Sequence, residues 1–310
     1  MKAVVLTQFG EPEVLVLQDV AKPSPAQDEV LIKIQNTAVN ALDWKLRRGM
    51  GEKIGLHLKL PFILGSEISG VVETVGADVH GFKAGDEVFG FVNVLRSGGY
   101  SEYLTAKENE LALKPRNIDF IHAAAIPVGA LTSWQALFDT AHLQSGQKVL
   151  IHGATGGVAS LAVQLAKARG AFVIGTGSGR SEEFVKSLGA DQFVDYTTAR
   201  FEDVAHDVDV VFDTIGGETQ QRSFQTLKKG GFLVSNVGPP SQDLAAEHAV
   251  SAAMISARPE GTALAEIARL VEEEQIRAHV ETVLPLSAVA QAHQLMESGH
   301  KRGKIILQIG

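Results

Sequence analysis

No cysteine occurs among the 310 residues. That absence removes disulfides, thiol nucleophiles, CxxC redox pairs and every thiolate-ligated metal centre. Positive charge is also scarce. Lys and Arg number 28 against 36 Asp and Glu, a net −8, so no basic field is available to hold a nucleic-acid backbone through counterion release. A phosphate-bearing ligand must be held by local donors instead. No apolar run reaches the roughly 18–20 residues that a membrane-spanning helix needs. The opening MKAVVLTQFGEPEVLVL reads as a strand, not as a basic segment leading into a signal core. These absences set the expectation of a cytosolic protein with neither nucleic acid nor membrane as partner. What is present is ordinary for a folded enzyme: 45% of residues are hydrophobic and 31 are glycine, and the length suggests about two domains of roughly 150 residues each.

Residues 1 to about 120 read as short strands separated by glycine- and proline-containing turns. The expected strands are Lys2–Leu6, Val14–Asp19, Glu29–Val39, Glu67–Val75, Glu87–Phe91 and Ser101–Ala106. EVLIKIQNTAVN alternates apolar and polar residues, as a half-exposed strand would, and a short helix from Asp43 to about Arg48 is ended by Gly49. This part reads as a small β-barrel or sandwich. From about Ile118 the pattern changes. An Ala-rich helical stretch interrupted by Pro127 is followed by apolar strands alternating with helices, in the order KVLIHGA, GGVASLAVQLAKARG, AFVIGTG, RSEEFVKSLG, ADQFVDY, DVDVVFDTIG, GETQQRSFQTLKKGG, GFLVSNVG and SAAMISAR. Such alternation predicts an α/β fold with a doubly wound parallel sheet. The final GKIILQI is expected to return to the first domain. The boundaries expected from sequence are 1–122 with 276–310 for the first domain and 123–275 for the second.

The most informative stretch runs from a buried strand into Gly153-Ala-Thr155-Gly156-Gly157-Val158-Ala159 and then a helix. Glycines let the backbone turn tightly and approach a pyrophosphate, while the helix start offers N–H donors and a positive dipole end. The spacing departs from a strict GxGxxG, and glycines kept for packing alone are the plainer alternative. The next strand ends in Gly175-Thr-Gly177-Ser178-Gly179-Arg180 with no acid where NAD-binding sites place one for the ribose 2′-OH. A hydroxyl from Ser178 and the fork of Arg180 suit a 2′-phosphate, and Tyr196 after the following strand is placed to cover the adenine or reach the same phosphate. The expected cofactor is NADPH.

Many ordered segments then resemble the zinc-independent quinone oxidoreductase branch of the medium-chain dehydrogenase/reductase superfamily. They are KAVVLTQFG, PEVL, VNALDWKLRRG, PFILGSEISGVVETVG, GDEVFG, GGYSEYL, AAAIPVGALTSWQAL, GATGGVAS, SLGADQFVDY, FDTIGG and GKIIL, and they cover essentially the whole chain. The resemblance implies a GroES-like β-barrel catalytic domain, a Rossmann domain and NADPH-dependent reduction of a quinone or an α,β-unsaturated carbonyl. Relative to the zinc alcohol dehydrogenases of the same superfamily, Asn40 stands where a metal-binding Cys precedes an Asp, here Asp43. Gly65-Ser66-Glu67 stands where those enzymes have Gly-His-Glu. Amide and hydroxyl groups are poor zinc ligands, so no catalytic metal is expected. Scattered histidines such as His57, His122 and His152 read as surface or packing residues.

Without a metal, the easier reaction is hydride transfer to an acceptor that delocalises the incoming charge. The resemblance places Asn40, Asp43 and Lys45 facing the active-site cleft. Lys45 is expected to donate to the developing oxyanion or to supply the proton, with Asn40 and Asp43 fixing the nicotinamide edge or holding Lys45. The plainer reading is that Asp43 caps a helix and Lys45 is solvated. Thr132, by the same resemblance, approaches the nicotinamide or its ribose. Asn236, Val237 and the main chain at Gly216 are expected to line the nicotinamide, and Lys304 to reach the cofactor phosphates or else lie on the surface. Tyr100 reads as structural. SAAMISAR would leave an apolar sheet edge, which favours a homodimer. A cofactor-binding sensor with little turnover is the alternative to an enzyme.

Overall fold

The computed structural model describes residues 1–96, 98–299 and 302–309, without the side chains of Lys53 and Ile54. Ser97, in the segment NVLRSGG, thus lies outside the described residues, as do these two side chains of the segment 50–61. Two compact units form: Met1–Val128 with Arg258–Glu272 and Ala278–Gly310, and Gly129–Ala257 with Glu273–Arg277.

In the first unit β1 (Lys2–Leu6) pairs antiparallel with β2 (Leu15–Asp19). The hub is β3 (Glu29–Val39), which pairs antiparallel with both β4 (Glu67–Val75) and β6 (Tyr103–Lys107). From β4 the sheet continues through β5 (Glu87–Phe91) to β7 (Leu111–Leu113). The alternation in EVLIKIQNTAV predicts one wet face; the structure instead buries nearly all of β3, with Lys33 its exposed residue. Neighbouring strands pair along both of its edges and the short helix α2 (Phe120–Ala124) packs against it, and its polar positions Asn36 and Thr37 are interior.

At the end of β3 the chain enters α1 (Ala41–Arg47). Asp43, third in the helix, returns its carboxylate to the Asn40 N–H at 2.7 Å, satisfying one of the donors a helix start leaves open. Gly49, at φ +73°, ends the turn as expected. Pro127 does not so much interrupt a helix as begin one, α3 (Pro127–Trp134), where its missing N–H costs nothing.

The second unit alternates strand and helix: β8 (Lys148–Ile151), α4 (Ala159–Ala168), β9 (Phe172–Gly177), α5 (Glu182–Ser187), β10 (Gln192–Asp195), β11 (Val208–Asp213), α6 (Gly217–Ser223), β12 (Leu227–Ser235), α7 (Gln242–Glu247) and β13 (Ser251–Met254). Every pair is parallel and the order is β10-β9-β8-β11-β12-β13. This is the doubly wound dinucleotide-binding arrangement, whose crossovers place helices on both faces. Apolar strand residues such as Val149, Ile151, Val173, Phe212 and Val234 form a core with Ala162, Val163 and Ala166 of α4. One helix is shorter than its sequence suggests. GETQQRSFQTLKKGG stays α-helical only to Ser223, a 3-10 turn follows over Phe224–Thr226, and Leu227–Lys229 open β12. Phe224 and Thr226 turn inward there, and the Thr226 hydroxyl donates to the Ser223 carbonyl.

The chain then adds α8 (Gly261–Glu272), β14 (Val280–Pro285), α9 (Val289–Glu297) and β15 (Lys304–Gln308) to the first unit. As expected, β15 returns there: it lies antiparallel to β3, with Ile305 opposite Val39, and parallel to β14. The expected boundary at 275 put α8 in the second domain, whereas it groups with the first. Its apolar face is buried, Asn117 donates to the Val271 carbonyl at 2.9 Å, and Gly261 lies so close to Leu111 that a Cβ would stand 2.8 Å from its carbonyl oxygen.

Candidate active site

Two groups of residues emerge, one in each unit. In the first, register does the assembling. Because Ile305 pairs with Val39, the next residues along, Lys304 and Asn40, meet at the end of the sheet. The Lys304 ammonium donates to Asn40 Oδ1 at 2.6 Å and to Glu67 Oε2 at 2.5 Å. Glu67 is fully buried and accepts twice more, from Asn40 Nδ2 at 3.0 Å and from the Val128 N–H at 2.8 Å. Buried charges persist only when paired and hydrogen-bonded, and this pair is both. Lys304 is therefore not a surface residue; its ammonium is engaged inside the first unit.

Asp43 is buried as well. Its Oδ2 accepts from the Asn40 N–H and from the Tyr100 hydroxyl at 3.0 Å. Burial pushes its carboxyl up to about 6, against the lowering pull of these donors and of Lys304. Tyr100, raised well above the ordinary phenol value mainly by burial, also sits 3.2 Å from His293 Nε2. Burial, with Arg47 nearby, depresses His293 to about 3. The ring is thus neutral, and since the Tyr100 proton goes to Asp43, His293 donates from Nε2. Asp43 therefore caps and anchors α1. Lys45, half-exposed on α1, has the Trp44 ring 5.9 Å from its ammonium and no carboxylate partner among the described residues. Asn40, Asp43 and Glu67 come together; Lys45 is near in sequence but forms no ion pair with this cluster among the described residues.

In the second unit the strand ends carry the site. Gly153 follows β8 with φ +64°, and a Cβ there would stand 2.8 Å from Ile215 Cδ1 and 3.0 Å from Thr214 Oγ1. The turn through Thr155, Gly156, Gly157 and Val158 leads into α4, which no side chain caps. Its first N–H groups are of the kind that hold phosphate. Asp213, fully buried at the end of β11, organises the neighbouring loops. Its carboxylate accepts from the Ile215 and Gly216 N–H groups at 3.0 and 2.8 Å, from Gln220 Nε2 at 2.9 Å and from Ser235 Oγ at 2.9 Å. Gly216, Asn236 and Val237 are thereby brought together: a Cβ on Gly216 would meet Val237 at 3.2 Å, and the Asn236 N–H donates to the Asp213 carbonyl. Asn236 Oδ1 is buried with no hydrogen-bond partner among the described residues. An acceptor left open beside a glycine turn and a helix start fits a ligand that carries both phosphates and a carboxamide N–H₂, as a nicotinamide dinucleotide does.

Ser178 precedes a 3-10 turn, Gly179–Ser181; Arg180 and Tyr196 are exposed. The sequence reading overlooked Asp195 at the end of β10. Its carboxylate accepts from the Thr197 N–H and hydroxyl at 2.9 and 2.7 Å and from the Gly179 N–H, which together hold it below the usual range. It pins the loop that carries Ser178 and Arg180. Thr132 is buried within α3. His152 packs inside, between Thr176 and Ser223, and burial lowers it to about 4.

A dinucleotide-binding unit joined in one chain to a GroES-like β unit defines a medium-chain dehydrogenase or reductase. A profile described as "Alcohol dehydrogenase GroES-like domain" matches residues 26–116, and one described as "Zinc-binding dehydrogenase" matches 188–307. The 2-methylene-furan-3-one reductase of Solanum lycopersicum is 34% identical over 321 residues, covering 99% of this chain and 79% of that protein. The quinone oxidoreductase of Rattus norvegicus is 33% identical over 326 residues, covering 99% and 97%. Among solved structures, the quinone oxidoreductase from Coxiella burnetii has a TM-score of 0.91 at 33% identity, covering 100% of this chain and 99% of that one. The Escherichia coli quinone oxidoreductase complexed with NADPH has 0.88 at 28%, covering 99% and 100%. The chain belongs to the medium-chain dehydrogenase/reductase superfamily, in its quinone oxidoreductase-like branch.

Proposed function

We propose that this protein is an NADPH-dependent oxidoreductase that reduces quinones or α,β-unsaturated carbonyls without zinc. The observation that carries the reading is the state of Asn40 and Glu67. Their side chains, at and beside the positions where zinc relatives place ligands, are already engaged by the Lys304 ammonium. A chain with no cysteine and with these donors consumed is poorly equipped to stabilise an alkoxide through a metal. The acceptors that remain accessible are those that spread charge themselves, and relatives named for quinone and alkenal/one substrates are consistent with this.

When bound, the nicotinamide supplies a hydride. Gly153, Thr155, Gly156, Gly157 and Val158 hold the pyrophosphate by backbone donors, and Ser178, Arg180 and Tyr196 hold the 2′-phosphate and adenosine. Asn236 Oδ1 accepts from the carboxamide, with Val237, Gly216 and Thr132 along the ring and its ribose. The protein then needs a donor for the oxygen that becomes an enolate or hydroquinone anion, and Lys45, whose ammonium has no carboxylate partner among the described residues, fills that role. We also assign a cytoplasmic location and a homodimer built on β13, a four-residue edge strand with Met254 exposed. No described helix is long and apolar enough to cross a membrane. The test is steady-state oxidation of NADPH with a para-quinone and with an aliphatic enone. Tight NADPH binding without turnover of either would overturn the enzyme reading in favour of a cofactor sensor.

A further inference from the structure

The cluster at the end of β15 has more structure than packing requires. Lys304 is buried, Glu67 is wholly so, and their ion pair is closed by Asn40, which both accepts from the ammonium and donates to the carboxylate. A hydrophobic pair of similar volume would fill the same space without desolvating two charges. The register is also enforced. Gly303 has φ +78° and lies so near His279 that a Cβ would stand 2.0 Å from its carbonyl oxygen, while the Lys304 N–H donates to that same carbonyl at 2.9 Å. The ammonium is thus delivered to one point. There it meets Asn40, the residue that precedes α1, and Glu67, whose other oxygen takes the Val128 N–H in the first turn of α3. The two helices so joined carry Lys45 and Thr132.

We propose that Lys304 is a positioning residue: its ammonium is a built-in cation that ties the start of α1 to the start of α3 through Asn40 and Glu67. The inference rests on the reading of the chain as a reductase, but only in its kinetic consequences. Lys304 transfers no proton; it acts through the two helices it holds. Without the cation, Glu67 would be a buried carboxylate without its ionic partner, and it would turn toward water. That releases the Asn40 amide, and the start of α1 loses one of its two anchors, the other being Asp43.

The experiment compares wild type with Lys304→Ala, Lys304→Met and the double variant Glu67→Gln/Lys304→Met. Hydrogen exchange of the cofactor-free protein over residues 40–47 and 127–134 reports the tie directly. Both single variants should exchange faster in these two segments while the β8–β13 sheet stays protected. On the enone, kcat should fall about 10–100-fold, the scale of a small misplacement of reacting groups, with NADPH affinity within about threefold. Propylammonium at millimolar concentration should slow exchange and restore part of kcat in Lys304→Ala, and tetramethylammonium, which has no N–H to donate, should not. The double variant removes both charges, so it should regain the wild-type melting temperature but not kcat. Recovery of kcat as well, or unchanged exchange in both segments of the single variants, would overturn the proposal. Should wild type reduce no acceptor at all, the reductase reading falls while the exchange measurements still decide the role of Lys304.

Discussion

A carboxylate in the first turn of a helix is common; one that holds its proton to about pH 6 is not. Asp43 keeps that proton where the unfolded chain, with an ordinary value of 3.8, has released it. Stability from this group is therefore complete below about pH 4, falls as pH rises to about 6, and is level above. The shift of roughly two units corresponds to about 3 kcal/mol. Urea unfolding of wild type and Asp43→Asn at pH 4.5 and 7.5 should show the wild type losing ground relative to the variant at the higher pH, and parallel curves would refute the raised value. His152 and His293 work in the opposite sense, since both stay neutral when folded to about 4 and 3, and their contribution is lost as pH falls below about 6.5. They cancel in the comparison. Two kinetic predictions belong at this scale too. Lys45→Met should lower kcat on enones by roughly 10²-fold with NADPH affinity nearly unchanged, and affect quinones less; an unchanged kcat on both acceptors would make Lys45 a solvated residue. Arg180→Ala should weaken NADPH by about 1.5–3 kcal/mol and barely affect NADH, as calorimetric titration of both cofactors would show. Asn40 and Asp43 entered the reading through the family resemblance of one short segment, and the structure joins them by a hydrogen bond. Glu67 and Lys304 were not read as a pair because 237 residues separate them, and only strand register brings them together. Asp195 and Asp213 were hidden for another reason: each looks like the last residue of a strand, and the value of each lies in backbone donors that local sequence does not display.

Elements were more legible where one physical signal governed them. Lys2–Leu6, Glu29–Val39, Glu67–Val75 and Glu87–Phe91 have the bounds their turn residues suggest. The burial of β3 was misjudged because alternation reports polarity, and a strand paired on both sides and covered by α2 tolerates Asn36 and Thr37 inside. α6 was read too long for a similar reason: FQTLKK fits a helical period, but β11 offers Leu227 a parallel partner in Val208. The sharpest prediction for an element concerns β15. Gly303→Ala forces a Cβ into a backbone carbonyl at a left-handed φ, so it should cost at least about 2 kcal/mol in urea unfolding and reproduce the kinetic defect of Lys304 variants. A loss below about 0.5 kcal/mol would show that β15 shifts freely.

For the whole molecule, the proposed chemistry predicts independence from metal. Activity should survive exhaustive chelation, and elemental analysis should find no stoichiometric zinc; about one zinc per chain would overturn the assignment. The parallel sheet of the second unit ends in β13, whose outer backbone groups pair with no other described strand. An uncovered edge invites pairing with its own kind. A dimeric mass at micromolar concentration is the expected outcome of light scattering, and introducing Pro at Ala253 should shift it toward monomer.

The order of the segments along the chain has a further consequence, in the timing of synthesis. The second unit is nearly complete once residue 277 has emerged from the ribosome, whereas the first, although begun at residue 1, waits for residues 304–308 to lie beside β3. Until then Glu67 has no cation and β3 has an unpaired flank. Domains tend to fold as units during translation, and here the unit made first should be the unit finished last. Nascent chains stalled with residue 290 just outside the exit tunnel should protect β8–β13 from protease while β3–β5 remain cleavable. For that interval the growing protein would be able to bind its nucleotide before it has anywhere to send the hydride.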